Sequence, residues 1–438
     1  MMKKKLVIFT YYWPPSGGPA VQRWLAFSNL LIGHNVEITV ITPHPENATY
    51  PFLDHKLVND IHEKIKVIQI PSKDSFYLYK KLIGRGKVPS SGFINEKNSL
   101  TQRIARFIRG NFYFPDPRKN WLKQALKEAS HLIQSENYTN IITAGPPHST
   151  HFVGLKLKKK YPNINWICDF HDAWTDIWFY DKLLKTNLAK LIDKKMEKLI
   201  LDRADHVLTV GEFLKLKLIE TTTLKNESKF HLISMGYDKD IDYSEIKTEG
   251  NPFTISYTGT IDHQYHAEII FEALGRLKKK QIDIQLRFVG LVSDNLKKLV
   301  KVKNLEDVVL FFDYVPHHES IEYLRSSDCL LLVSPDVKSE QLIIPGKIYE
   351  YLATKKTIIN IGDVRSNTAQ IITECNAGIN IDRNEIDKLT EFLLNYITNW
   401  DSNKDYSPYK SNLVHEKYSR KEEAEKINKL LISNRIKK

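Results

Sequence analysis

Pro345-Gly346-Lys347-Ile348-Tyr349-Glu350-Tyr351-Leu352-Ala353, followed by Lys355-Lys356-Thr357-Ile358-Ile359, reads as a Pro/Gly loop, a short helix and a buried strand. Lys347 and Glu350 stand three residues apart, one helical turn, and share a face. In an open α/β sheet such a helix points its N-terminus at the crevice where ligands bind, and free N–H groups with the helix dipole favour an anion there. A phosphate against Lys347 leaves Glu350 to accept from vicinal hydroxyls. The plain alternative is a surface helix carrying an i, i+3 ion pair.

Outward from this stretch, short apolar segments rich in β-branched residues alternate with longer amphipathic ones. Upstream they are Leu6–Thr10, Val36–Ile41, Ile65–Ile70, Asn140–Thr143, Trp166–Asp169 and His206–Val210. A second series runs Thr254–Tyr257, Gln285–Val289, Val308–Phe312, Cys329–Val333, Thr357–Ile361 and Gly378–Ile381, with a helical pattern over Ala267–Lys280. This alternation predicts βαβ units in two consecutive Rossmann-like domains, with the changeover at residues 235–250. A closing amphipathic helix is expected after Tyr418, where Ala424, Ile427, Leu430 and Leu431 fall at helical spacing.

A chain of 438 residues is longer than one core usually organises, which agrees with two domains. The lysine-rich start runs straight into Leu6-Val7-Ile8-Phe9-Thr10, too short for a signal-peptide core, so a cytoplasmic location is expected. Cys168, Cys329 and Cys375 lie far apart without C-x-x-C spacing, suggesting neither a zinc site nor a disulfide framework. A net charge of +12 and a pI near 9.2 imply attraction to polyanions: nucleic acid, an anionic membrane or phosphorylated substrates.

After the first strand come Tyr11-Tyr12-Trp13-Pro14-Pro15-Ser16-Gly17-Gly18-Pro19-Ala20 and a helix. Gly17-Gly18 lets the backbone approach a ligand closely, and the helix N-terminus offers N–H donors. This is not G-x-G-x-x-G, and no acidic residue closes the second strand, which argues against a dinucleotide dehydrogenase. Thr143-Ala144-Gly145-Pro146-Pro147-His148-Ser149-Thr150-His151 and Asp169-Phe170-His171-Asp172-Ala173-Trp174 each follow a strand, at the end where doubly wound sheets place ligands. His148 and His151 sit on no metal-ligand spacing such as H-E-x-x-H, and a backbone carbonyl can satisfy either, so no metal is expected.

The pattern P-x-K-x-x-E-Y-L-A over 345–353 resembles the donor-binding helix of GT-B glycosyltransferases, especially the large retaining family 4. Gly17-Gly18 resembles the glycine loop of that family, and the PPHS and DFHDxW motifs resemble those of a bacterial subgroup. The resemblance implies a GT-B fold, with two doubly wound parallel-sheet domains facing across a cleft and the last helix crossing back to the N-terminal domain. The expected boundaries are 1–240 for the acceptor domain, 241–415 for the nucleotide-sugar domain and 416–438 for the returning helix. By the same resemblance His171 contacts the transferred sugar, Asp172 orients His171 or receives the acceptor proton, and Lys347 stabilises the leaving phosphate. The donor is expected at Gly17, Gly18, Gly259, Thr260, His263, Tyr314, Val315, Lys347 and Glu350.

Three departures mark this chain. Family members usually follow the glycine at 259 with an arginine and a lysine that neutralise the diphosphate; here Thr260, Ile261 and His263 surround it, so the load shifts to Lys347, backbone amides and His263. Many relatives also carry two glutamates eight positions apart, yet counting back from Glu350 reaches Leu342, and Glu340 comes two residues too early. The ribose role therefore transfers to Glu350, and the sugar-contacting role transfers to no residue. Asp313 also replaces a usual glycine beside Tyr314 and Val315.

Between residues 101 and 112, Arg103, Arg106 and Arg109 interleave with Ile104, Phe107 and Ile108, a pattern suited to an anionic membrane surface or to an ordinary solvated face. The reading that follows is a retaining, metal-independent glycosyltransferase with no cofactor. It moves a hexosyl or N-acetylhexosaminyl group from a UDP- or GDP-sugar to a glycan or lipid-linked acceptor in envelope or exopolysaccharide assembly, in the cytoplasm or peripherally on the inner face of the plasma membrane. The alternatives are another GT-B enzyme, either a sugar-nucleotide epimerase or an inverting transferase, and a non-catalytic protein that holds a polyanion or membrane. No RNP, helix-turn-helix or zinc-finger signature supports a nucleic-acid partner.

Overall fold

The computed structural model describes residues 3–51, 53–71, 100–246, 252–409 and 413–433. The chain divides into two compact units, Met1–Met235 with Arg420–Lys438, and Gly236–Ser419.

The first unit is built on β1 (Lys4–Phe9), β2 (Val36–Pro43), β3 (Lys66–Ile70), β4 (Asn140–Gly145), β5 (Asn165–Phe170), β6 (His206–Thr209) and β7 (Phe230–Leu232). All pair in parallel, in the order β3-β2-β1-β4-β5-β6-β7. Every residue of β4 and β5 is buried, as expected of central strands covered on both faces, whereas the edge strand β3 is mostly exposed or half-buried. Three-residue β7 was not anticipated, because Phe-His-Leu is too short to register as a period.

The C-terminal helix Arg420–Leu430 belongs to this unit. Ala424, Ile427 and Leu431 enter the core with Leu6, Ile8, Trp24 and Phe27. Polar groups at the strand starts finish the job: Lys4 Nζ donates to Asn428 O and Oδ1 at 2.8 and 2.9 Å, while Asn140 Nδ2 and Asn165 Nδ2 donate to Ile432 O and Leu430 O, each at 2.9 Å. The carbonyls of Asn428 and Leu430 lie in the last turn of the helix, where no i+4 donor follows.

The second unit contains β8 (Phe253–Thr258), β9 (Ile284–Val289), β10 (Val309–Phe312), β11 (Cys329–Val333), β12 (Thr357–Ile361) and β13 (Gly378–Ile381). Its order is β10-β9-β8-β11-β12-β13, again all parallel. Its own core joins Tyr257, Phe271, Phe288, Leu331 and Trp400. In both sheets the strand order reverses beside the first strand, between β1 and β4 and between β8 and β11. That reversal opens a crevice at the carboxyl ends of those strands.

Candidate active site

In the second unit, β8 ends at Thr258 and Gly259 turns the chain with φ +109°, a conformation that L side chains rarely adopt. Gly290 after β9 has φ +130°, and a Cβ there would lie 2.5 Å from Gly259 O, so the two backbones can approach this closely only because Gly290 carries no side chain. The Lys347–Thr354 helix starts after β11, with its first turn at this crevice. A Cβ on Gly259 would meet Lys347 Nζ at 3.0 Å, and Nζ sits 3.7 Å from the centroid of the Tyr257 ring. Burial pushes the Lys347 ammonium down to about 7, only partly offset by the charge on Glu350. Tyr257 donates to Thr260 O at 2.8 Å, and Tyr351 Oη accepts from Thr258 N at 3.0 Å, which ties the helix to the glycine turn.

Glu350 does not pair with Lys347. Its Oε1 lies 2.6 Å from His317 Nε2, at the start of the His317–Arg325 helix. The surface ion pair considered from sequence is therefore not formed, and His317, which no sequence motif marked, holds the carboxylate. Tyr314 is 71% exposed beside this helix. Val315 is half-buried. The side chain of His263 lies outside the described residues, although its backbone opens a short turn, His263–Tyr265.

Glu340 is committed elsewhere: Arg383 grips both its oxygens at 2.9 and 3.0 Å, and Asp363 N donates to Oε1 at 2.8 Å. A Cβ on Gly362 would collide with that oxygen at 2.5 Å. An open cavity of about 500 Å³ beside this pair, lined by Asp336, Lys338, Asp363 and Arg365, includes neither Lys347 nor Glu350.

In the first unit, Gly18 (φ +108°) leads into the Pro19–Ile32 helix, with proline in its first turn. That helix carries Arg23, fully buried, which donates through Nε and Nη2 to Asp169 at 3.3 and 3.1 Å. Trp24 Nε1 adds a third bond to Asp169 at 2.7 Å, and Arg23 Nη1 donates to Ser234 O. Burial alone would raise the Asp169 carboxyl, but the adjacent Arg23 and His171 outweigh it and hold it well below the usual carboxylate range. The glycine loop and the DFHD loop are thus locked together through a buried ion pair that motif reading did not reveal.

His171 sits 3.8 Å from Asp169 through Nδ1 and 3.8 Å from Asp172 through Nε2. Both distances exceed a hydrogen bond, so Asp172 is near His171 without bonding it. His148 stacks parallel on Trp174 with centroids 5.0 Å apart, and its Nε2 faces Ala173 O at 3.3 Å. His151 Nδ1 lies 3.0 Å from Thr143 Oγ1. Burial lowers both, His151 to about 3, so these are neutral packing histidines. Among the described residues no group of three or more His, Cys, Asp or Glu side chains is arranged to hold a metal ion. Asp116 fastens the PPHS loop by accepting from Ser149 N and Oγ at 2.8 and 2.9 Å.

Two parallel-sheet units of this kind make up the GT-B fold, and solved structures of that fold resemble this one over nearly their whole length. Sucrose-phosphate synthase from Thermosynechococcus elongatus superposes with a TM-score of 0.60 at 14% identity, covering 98% of each chain. Anabaena HepE in complex with UDP gives 0.63 at 11% identity over 97% of this chain and 98% of that one. The lipopolysaccharide outer core galactosyltransferase WaaB gives 0.58 at 13% identity over 98% and 99%. No curated protein sequence matches the chain significantly. Residues 238–413, nearly the whole of the second unit, match the family described as glycosyl transferases group 1, so this unit is a group 1 glycosyltransferase domain.

Proposed function

We propose that the protein is a retaining transferase that takes a hexosyl or N-acetylhexosaminyl group from a UDP- or GDP-sugar to a glycan or lipid-linked acceptor in envelope or exopolysaccharide assembly. The observation that carries this reading is the arrangement at the β8/β11 crevice. Lys347 stands there without a carboxylate partner, against a turn that L side chains rarely make, with Glu350 directed away to His317. One group suits a diphosphate and the other a pair of hydroxyls. The complex of HepE with UDP supports a uridine diphosphate donor, and WaaB, named a galactosyltransferase of the lipopolysaccharide outer core, supports a cell-surface glycan acceptor.

In the proposed reaction the bond from the sugar C1 to the diphosphate oxygen breaks as C1 bonds the acceptor oxygen on the same face. The acceptor proton passes to the departing phosphate. Lys347 and the N–H groups of its helix stabilise the charge that develops there. His171 contacts the sugar, Asp172 stands near it, and Gly17-Gly18 leaves room for phosphates and acceptor. No cofactor or metal is assigned a step. The Leu100–Phe112 helix supports membrane contact: Leu100, Ile104, Phe107, Ile108 and Phe112 are 41–72% exposed at helical spacing, interleaved with arginines. No helix among the described residues is long and apolar enough to cross a membrane, and peripheral attachment to the inner face of the plasma membrane accords with this surface.

The test is a nucleotide-sugar panel scored by the rise in melting midpoint, run beside Glu350→Ala. One UDP- or GDP-sugar raises the midpoint of the wild type, and the variant loses most of that rise. An equal rise in the variant removes Glu350 and this donor site. The anomeric configuration of the product separates retention from inversion, and turnover without any acceptor would favour an epimerase.

A further inference from the structure

Lysine and glutamate three residues apart on one helix face are close enough to pair. Lys347 and Glu350 do not: the carboxylate's hydrogen-bonding partner is His317, and the ammonium lies over the Tyr257 ring. His317 comes from a different helix, His317–Arg325, which packs against the one bearing Lys347 and Glu350. The imidazole is 40% exposed and the carboxylate 16%, so a ligand can reach the pair from solvent. The other titratable groups at this helix start are His318 and Glu319, which lie 3.8 Å from one another.

We propose that His317 is a positioning residue for the nucleoside diphosphate: by holding Glu350 Oε1 it keeps the carboxylate off Lys347, so that each group meets its own part of the donor. The proposal rests on the donor-site reading above. With an apolar residue at 317, Glu350 can fall back onto Lys347, and the two quench one another. The diphosphate then has to break an ion pair before it can bind, and the remaining carboxylate oxygen no longer faces the ribose hydroxyls. A glutamine at 317 can still donate an N–H to Glu350, so it preserves the separation without the imidazole.

The experiment uses the full chain, UDP as the probe for calorimetry, and the active sugar nucleotide for kinetics. His317→Leu is expected to weaken UDP binding about tenfold or more. It should raise the donor KM by a similar factor while kcat stays within about twofold. His317→Gln should recover most of the affinity. In a double-mutant cycle, Lys347→Met should cost less in the His317→Leu background than in the wild type, because the lysine there is already neutralised by Glu350.

UDP binding by His317→Leu at wild-type strength overturns the proposal. So does a glutamine variant as weak as the leucine one while equally stable to heat, or a loss confined to kcat. Should the leucine variant fail to fold, His317→Ser takes its place in each comparison. Undiminished UDP binding by Glu350→Ala instead sinks the donor site itself and the role of His317 with it. Weak binding by Glu350→Ala beside normal binding by His317→Leu removes His317 alone.

Discussion

Raising the pH from 7 to 8.5 withdraws the charge from Lys347, and UDP binding should weaken with it. With the ammonium titrating at about 7, about half of the free protein carries the charge at pH 7 and roughly 3% at pH 8.5. If the bound diphosphate keeps the lysine protonated, the apparent affinity falls roughly 15-fold over that interval, and binding takes up a proton. Calorimetry in buffers of different ionisation heat measures both quantities. Lys347→Arg, whose guanidinium stays charged throughout, should bind with little dependence on pH. Lys347→Met should be weak and flat. The unliganded fold should respond in the opposite sense. The folded pKa lies below the unfolded value of 10.5, so the unfolded chain binds the extra proton between pH 7 and 10.5, and this group adds stability as pH rises through that window. Unchanged wild-type affinity from pH 7 to 8.5, or the same fall in the arginine variant, would refute the assignment of the charge to Lys347.

Arg23→Met strands the buried Asp169 carboxylate and should cost about 3–5 kcal/mol, read as a lower urea midpoint for the first unit, with Arg23→Met/Asp169→Asn recovering much of it. A loss under about 1 kcal/mol would show that the pair does not hold these loops together. If His171 contacts the sugar and not the nucleotide, as proposed, His171→Ala should keep donor-induced thermal stabilisation while transfer falls by about a hundredfold or more; normal turnover would strike it from the site. Replacing Ile104, Phe107 and Phe112 with serine should reduce co-sedimentation with vesicles rich in anionic lipid and leave binding to neutral vesicles at its low level. Equal sedimentation of the triple variant would assign that helix to another partner.

Much of the architecture was legible in one dimension because each strand is a short run of β-branched or large apolar residues set between amphipathic stretches. Cys329–Val333, Thr357–Ile361 and Gly378–Ile381 form over the expected residues. Strands covered on both faces need apolar side chains on both sides, and that requirement is written locally. The PGK start of the helix and the Gly17-Gly18 turn were legible for a similar reason: backbone conformation there admits few residue types.

The pairings were not legible, because they depend on side chains distant in sequence that meet only once the sheets have formed. Nothing in the spacing of Arg23 and Asp169 discloses a fully buried ion pair, and Glu340 reads as a displaced ligand residue until Arg383 is seen to occupy both its oxygens. The i, i+3 spacing of Lys347 and Glu350 allowed an ion pair as the plain alternative, and the fold does not form it. Local runs of residues suffice for the two parallel sheets and for the helix that presents Lys347 and Glu350. That these two side chains stay apart is a consequence of packing, which brings His317 from another helix to within 2.6 Å of the carboxylate.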